Sequence, residues 1–168
     1  MKKLLIIIII LFGCTSGRNL TVQRFNSSIR LMECDCLSLL QDLRIEKRRN
    51  YISISSKGEM NSYYKIRVVD TNLSVEHLRG NMTEAEVLSV AKCFNGLNVR
   101  FSSSIPNLGL QLFYKGEDQV WIYISDLSKL PSNELEWFDT NYTRLNSKWY
   151  YARVEEYSSV FSPKIIEK

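Results

Sequence analysis

The sequence predicts an α+β fold in which two main helices pack on one face of a curved antiparallel sheet of about five to seven strands. Apolar residues recur at helical spacing in two stretches, whereas the other patterned segments alternate with period two. Two pairs of those segments, Tyr51–Ser55 with Tyr63–Asp70 and Leu108–Lys115 with Gln119–Ser125, are joined by turn residues alone, which favours antiparallel pairing.

Leu20 to Phe25 alternates weakly and is expected to form an opening strand. Ile29, Met32, Cys36, Leu40 and Leu43 then recur at spacings of three and four, one face of a first helix. Ser27 or Ser28 would cap it, and Lys47-Arg48-Arg49 would stand at its end. Tyr51 to Ser55 alternates isoleucine with serine, and Tyr63 to Asp70 sets Tyr64, Ile66 and Val68 against Lys65 and Arg67. With Lys57-Gly58-Glu59 and Asn61-Ser62 between them, these read as a hairpin.

The second helix is expected from Glu84 to Asn95. Thr83 and Glu86 form a capping box, Met82 can staple against Val87, and Asn95-Gly96 ends it. Val87, Val90, Ala91 and Phe94 make the stripe to be buried. Beyond Gly96, Asn98 to Ser102, Leu108 to Lys115 and Gln119 to Ser125 read as strands, the last two joined around Gly116-Glu117-Asp118. Pro131 and Asn133 interrupt the pattern before a final strand, Lys148 to Glu155.

The N-terminus carries a different kind of signal. Met1-Lys2-Lys3 is basic, Leu4 to Phe12 is apolar without a break, and Gly13 precedes Cys14. An apolar run of nine residues is too short to span a bilayer and fits a cleavable signal peptide. Leu11-Phe12-Gly13-Cys14 resembles the lipobox of bacterial lipoproteins. The resemblance implies cleavage before Cys14 and acylation of that residue, with residues 1–13 as leader, 14–19 as a small polar tether and 20–168 as a single globular domain. Several acyl chains hold a domain on a membrane where one would not. Thr15 stands where an aspartate would favour inner-membrane retention, so the resemblance implies the outer membrane, facing the periplasm.

Losing Lys2 and Lys3 with the leader takes the formal charge from +4 to +2, a balance that gives no reason to expect nucleic acid as a partner. The tightest basic cluster, Arg44, Lys47, Arg48 and Arg49, is expected to solvate a helix end, where cations suit the dipole. With Cys14 lipidated, Cys34, Cys36 and Cys93 remain, and export favours one disulfide from Cys93 to Cys34 or Cys36. Cys36 lies on the apolar stripe of the first helix and is the expected partner once the two helices pack together.

Enzymatic chemistry finds little to stand on. His77 is the single histidine, with no nucleophile-elbow motif beside it, and a pairing with Cys93 would place the thiol near a helix C-terminus, where the dipole opposes a thiolate. Cys34, Cys36, Cys93 and His77 do not have the spacing of a zinc finger, and no metal or other cofactor is expected. Glu134, Glu136 and Asp139 beside Trp137 and Phe138 are the one carboxylate cluster a glycosidase could use, but residues 134 and 136 in one strand would lie side by side without a cleft.

The aromatic residues are more suggestive. Twelve of the 19 fall between Phe113 and Phe161. Trp121 and Tyr123 alternate with Val120, Ile122 and Ile124, and Trp149 and Tyr151 alternate with Tyr150, Ala152 and Val154. If the helices cover the aliphatic row, the aromatic row faces outward as a contact surface for a protein or a sugar. The leading expectation is therefore a non-enzymatic, lipid-anchored envelope protein. It would bind another envelope protein or a cell-wall component, as an inhibitor, immunity or exclusion factor, or assembly accessory. An envelope hydrolase acting on cell-wall sugars is the enzymatic alternative. Five sequons, at Asn19, Asn26, Asn72, Asn81 and Asn141, give a third, a eukaryotic or viral secreted glycoprotein that binds a host factor.

Overall fold

The computed structural model describes residues 35–153 apart from 57, 60, 98 and 116–118. The strand expected at Leu20 to Phe25, the start of the first helix and the turn at Gly116-Glu117-Asp118 lie outside the described residues. A 3-10 helix, Asp35–Leu40, leads into β1 (Leu43–Lys47), β2 (Tyr51–Ser56), β3 (Tyr63–Val69) and β4 (Asn72–Arg79). Helix α1 (Glu84–Gly96) follows, then β5 (Phe101–Ile105), β6 (Leu110–Tyr114), β7 (Gln119–Ile124), helix α2 (Ser132–Asn141), β8 (Thr143–Arg144) and β9 (Trp149–Arg153). The strands form one antiparallel sheet of nine, in the order β4-β3-β2-β1-β5-β6-β7-β9-β8.

The fold class is as expected, but the sheet is larger than five to seven strands and the helices differ. Leu43 to Lys47, read as the end of a helix, is strand β1: Leu43 and Ile45 turn inward and Arg44 outward. Cys36 and Leu40 lie in a 3-10 helix one residue pair short of that strand, so a three–four spacing ran across a boundary between two elements. β4 breaks strict alternation because a bulge sits in it. His77 pairs with Lys65 and Val75 with Ile66, leaving Glu76 as the extra residue. Leu73, Val75 and Leu78 thereby share a face despite their mixed parity. α2 occupies the stretch that Pro131 and Asn133 interrupt, and its buried face includes a charged residue, Glu134, one turn before Phe138.

α1 matches the sequence closely. The Thr83 hydroxyl accepts from the Glu86 backbone N–H at 3.4 Å, and the Thr83 N–H donates to the Glu86 carboxylate at 2.7 Å. Val87, Val90, Ala91 and Phe94 are its buried residues. The helix packs against β3, β4 and the 3-10 helix, and the disulfide Cys36–Cys93, with Cα atoms 5.8 Å apart, ties it to the latter. The pairing is the one expected, although the partner element is a 3-10 helix and not the long first helix.

Register decides which residues share a face, because directly paired residues point the same way. Following the pairs across seven strands gives one row: Tyr64, Ile54, Ile45, Ser102, Phe113, Trp121, Tyr151. α1 lies over the Tyr64 end of this face, where the Tyr64 hydroxyl accepts from the Met82 N–H at 3.1 Å. α2 lies on the opposite face at the other half of the sheet. There Phe138 and Leu130 pack with Leu112, Ile122, Ile124, Tyr150 and Ala152. The described part of the expected first helix, Asp35–Leu40, packs beside α1 as expected, whereas α2, which the sequence reading did not contain, covers the opposite face at the other half.

Candidate functional site

Three strand ends meet to form a basic hollow. Lys47 closes β1, Arg48 begins the turn to β2, Val99 and Arg100 lead into β5, and Lys115 follows β6; together they line about 330 Å³. The backbone holds their origins in place. The Lys47 N–H donates to the Arg100 carbonyl at 2.8 Å and the Arg100 N–H to the Tyr114 carbonyl at 2.7 Å. The Arg48 N–H donates to the Tyr51 carbonyl at 2.8 Å. Val99 is buried and supplies an apolar wall, whereas Arg48, Arg100 and Lys115 are exposed. Among the described residues the lining holds no carboxylate; Glu46 reaches Arg48 from outside it, at 2.5 Å. The Lys115 ammonium stands 6.0 Å from the centre of the Trp121 ring.

The sequence cluster Arg44, Lys47, Arg48, Arg49 therefore does not solvate a helix end; its residues belong to β1 and the turn after it. Arg44 leaves the cluster for the other face of the sheet, where its guanidinium lies 5.2 Å from the Phe101 ring. Sequence spacing could not supply Arg100 and Lys115, which only the β1–β5–β6 pairing brings to Lys47.

The aromatic row is assembled as the alternation implied. The Trp121 and Tyr151 rings are 5.5 Å apart and those of Tyr123 and Trp149 4.8 Å apart, with Phe113 5.7 Å from Trp149. Its expected outward display is corrected for the tryptophans. Trp121 is 8 % and Trp149 4 % exposed, and Tyr123 and Tyr151 are half-buried. The rings enclose one another, Trp121 against Tyr151 and Trp149 between Tyr123 and Phe113, on the face that also carries Ile45, Ile54 and Tyr64.

The carboxylate cluster is also rearranged. Glu134, Glu136 and Asp139 lie on α2 and not in a strand; Glu134 is fully buried and Glu136 exposed, as two positions two apart on a helix point in different directions. Asp139 accepts from the Tyr150 hydroxyl at 2.7 Å and is 3.5 Å from the Arg144 guanidinium. Burial, with that bond to Asp139 next, pushes the Tyr150 phenol up to about 12. Burial also raises the Tyr142 phenol well above its ordinary range, helped by the negative charge of Glu134.

His77 lies exposed on β4, its ring 5.7 Å from that of Tyr63. Cys93 is bonded to Cys36 and offers no thiol to it. Among the described residues no group of three or more His, Cys, Asp or Glu side chains could hold a metal ion. Cys14 and Cys34 lie outside the described residues, as do the sequons at Asn19 and Asn26; Asn72, Asn81 and Asn141 are exposed.

Among the described residues no helix lies over the second face of β1–β4, whose side chains are exposed or half-buried. Arg44, Ser53, Ser55, Lys65 and Arg67 stand on it, with the Glu76 carboxylate 2.9 Å from Lys65 and 3.7 Å from Arg67. Tyr63 and Val69, on the same face, are 40 % and 49 % exposed. No family model, no curated protein and no solved structure matches the chain.

Proposed function

We propose that the protein is a lipid-anchored cell-envelope domain that binds a macromolecular partner and performs no catalysis. Cys14 holds it to the outer membrane, facing the periplasm. The partner is another envelope protein or a cell-wall component, and the action is that of an inhibitor, immunity or exclusion factor, or assembly accessory. The observation that carries the reading is the combination of the Leu-Phe-Gly-Cys14 leader with the Cys36–Cys93 disulfide. A chain with that leader leaves the reducing cytosol, and a disulfide persists in the compartment it enters. The second face of β1–β4, with Tyr63 and Val69 exposed among paired charges, has the mixture of apolar and polar groups that suits a reversible contact.

Cys14→Ser tests the anchor. The variant should lose incorporation of labelled palmitate, remain uncleaved by the lipoprotein peptidase and leave the membrane fraction. Unchanged processing and fractionation would sink the reading, and a gel shift on enzymatic deglycosylation would then favour the secreted glycoprotein. Partner capture is tested separately, by chemical crosslinking in cells with Tyr63→Ala and Arg67→Ala. Both residues are exposed, so the fold should survive and the crosslinked product should disappear.

A further inference from the structure

We propose that the hollow lined by Lys47, Arg48, Val99, Arg100 and Lys115 binds the phosphate ester of a small polyol, such as a glycerol phosphate or a sugar phosphate. The proposal stands whether or not Cys14 carries lipid.

Charge is the first reason. Four cationic side chains line it from three strand ends of a domain whose formal excess is otherwise small, and the described lining residues include no acid. Glu46 balances one of them through Arg48. The remaining excess suits a group carrying up to two negative charges, as a phosphate monoester does near neutrality. Donor geometry is the second reason. Two guanidinium forks can each take a pair of phosphate oxygens, while two ammonium groups supply point charges without a fixed orientation.

Size sets the carrier. A volume of about 330 Å³ lies at the lower end of small-molecule sites and exceeds what a bare phosphate fills. The surplus accommodates a few carbons, and buried Val99 offers them an apolar wall. The framework is ready before the ligand arrives, because backbone bonds of 2.7 and 2.8 Å join the three strands at this level. Lys115 connects the hollow to the aromatic row through Trp121, so an anion that draws its ammonium inward would change the surroundings of that ring.

The test uses the full chain, purified in a neutral detergent and titrated by calorimetry and by tryptophan fluorescence. Two probes share the chemistry but differ in source: glycerol 3-phosphate, and monomeric dihexanoyl phosphatidylglycerol. Glycerol and dihexanoyl phosphatidylcholine are the controls. Saturable binding of either probe, weakened about tenfold by Arg100→Gln and by Lys115→Gln, supports the proposal. Binding of the lipid alone identifies a headgroup site, and binding of the soluble ester alone a metabolite or cell-wall site. Lys129→Gln, beyond the opposite end of β7, should bind like the wild type. Absence of binding by both probes overturns the proposal, as does an equal loss in Lys129→Gln. If Arg100→Gln melts early, Lys115→Gln carries the comparison alone.

Discussion

Removing the disulfide should cost this domain a large part of its stability, through the unfolded state. Cys36 and Cys93 are 57 residues apart, and the bond closes a loop that contains β1 to β4 and most of α1. Loop-closure entropy for that separation corresponds to about 4 kcal/mol at 25 °C. Domains of this size have a total stability of roughly 5–15 kcal/mol, so the loss brings the chain close to the margin. The perturbation is the double change Cys36→Ala and Cys93→Ala, compared with wild type in oxidised and reduced forms. Urea titration at fixed temperature and calorimetric melting give the free energy and a fall in Tm of about 10–20 °C. The denaturant slope should rise at the same time, because an unlinked chain exposes more surface when it unfolds. Reduced wild type should coincide with the double variant. A loss below about 1 kcal/mol with an unchanged slope would refute the loop argument. Peptide mapping of the exported protein that found Cys34 joined to Cys93 would refute the pairing itself.

Trp121→Ala and Trp149→Ala should each cost about 3–5 kcal/mol of stability, read from thermal melts, because both side chains are buried; melts close to wild type would restore the outward-facing row. Gly80→Ala should destabilise by at least about 1–3 kcal/mol, since φ is +137° and the added carbon would fall on the Tyr64 hydroxyl; a neutral change in urea titration would contradict that conformation. Thr83→Ala should cost about 1 kcal/mol through the lost cap of α1, and Thr83→Ser should recover most of it. Tyr150 is held neutral in the folded state with its phenol pushed up to about 12, whereas the unfolded phenol titrates near 10. Below pH 10 both states are protonated and its contribution is complete; above it the unfolded state loses its proton first, so stability falls between about pH 10 and 12. Tyr150→Phe should flatten that decline in pH-dependent melts.

Local chemistry made α1 legible from sequence. Its capping box, apolar stripe and terminal glycine lie within fourteen residues and need no distant partner. β2, β3, β6 and β7 were visible for a similar reason, since alternation is written along each strand alone. Cys36 could be chosen over Cys34 from its place on a stripe, although the element carrying it was misread. Where a second segment decides the outcome, the one-dimensional pattern failed. β4 keeps Leu78 on the face of Val75 through a bulge that its pairing with β3 creates. α2 accepts a buried Glu134 because a folded surface surrounds it, which apolar periodicity cannot anticipate. The aromatic rows were correctly separated from the aliphatic ones, yet alternation says only that two faces exist. Register across seven strands puts Trp121 on the face of Ile45, Ile54 and Tyr64, and the ring contacts across β6, β7 and β9 enclose both tryptophans. The basic hollow is likewise a product of pairing: Lys47, Arg100 and Lys115 are neighbours because β1, β5 and β6 lie side by side, and hydrogen bonds between distant segments leave no mark on either segment read alone.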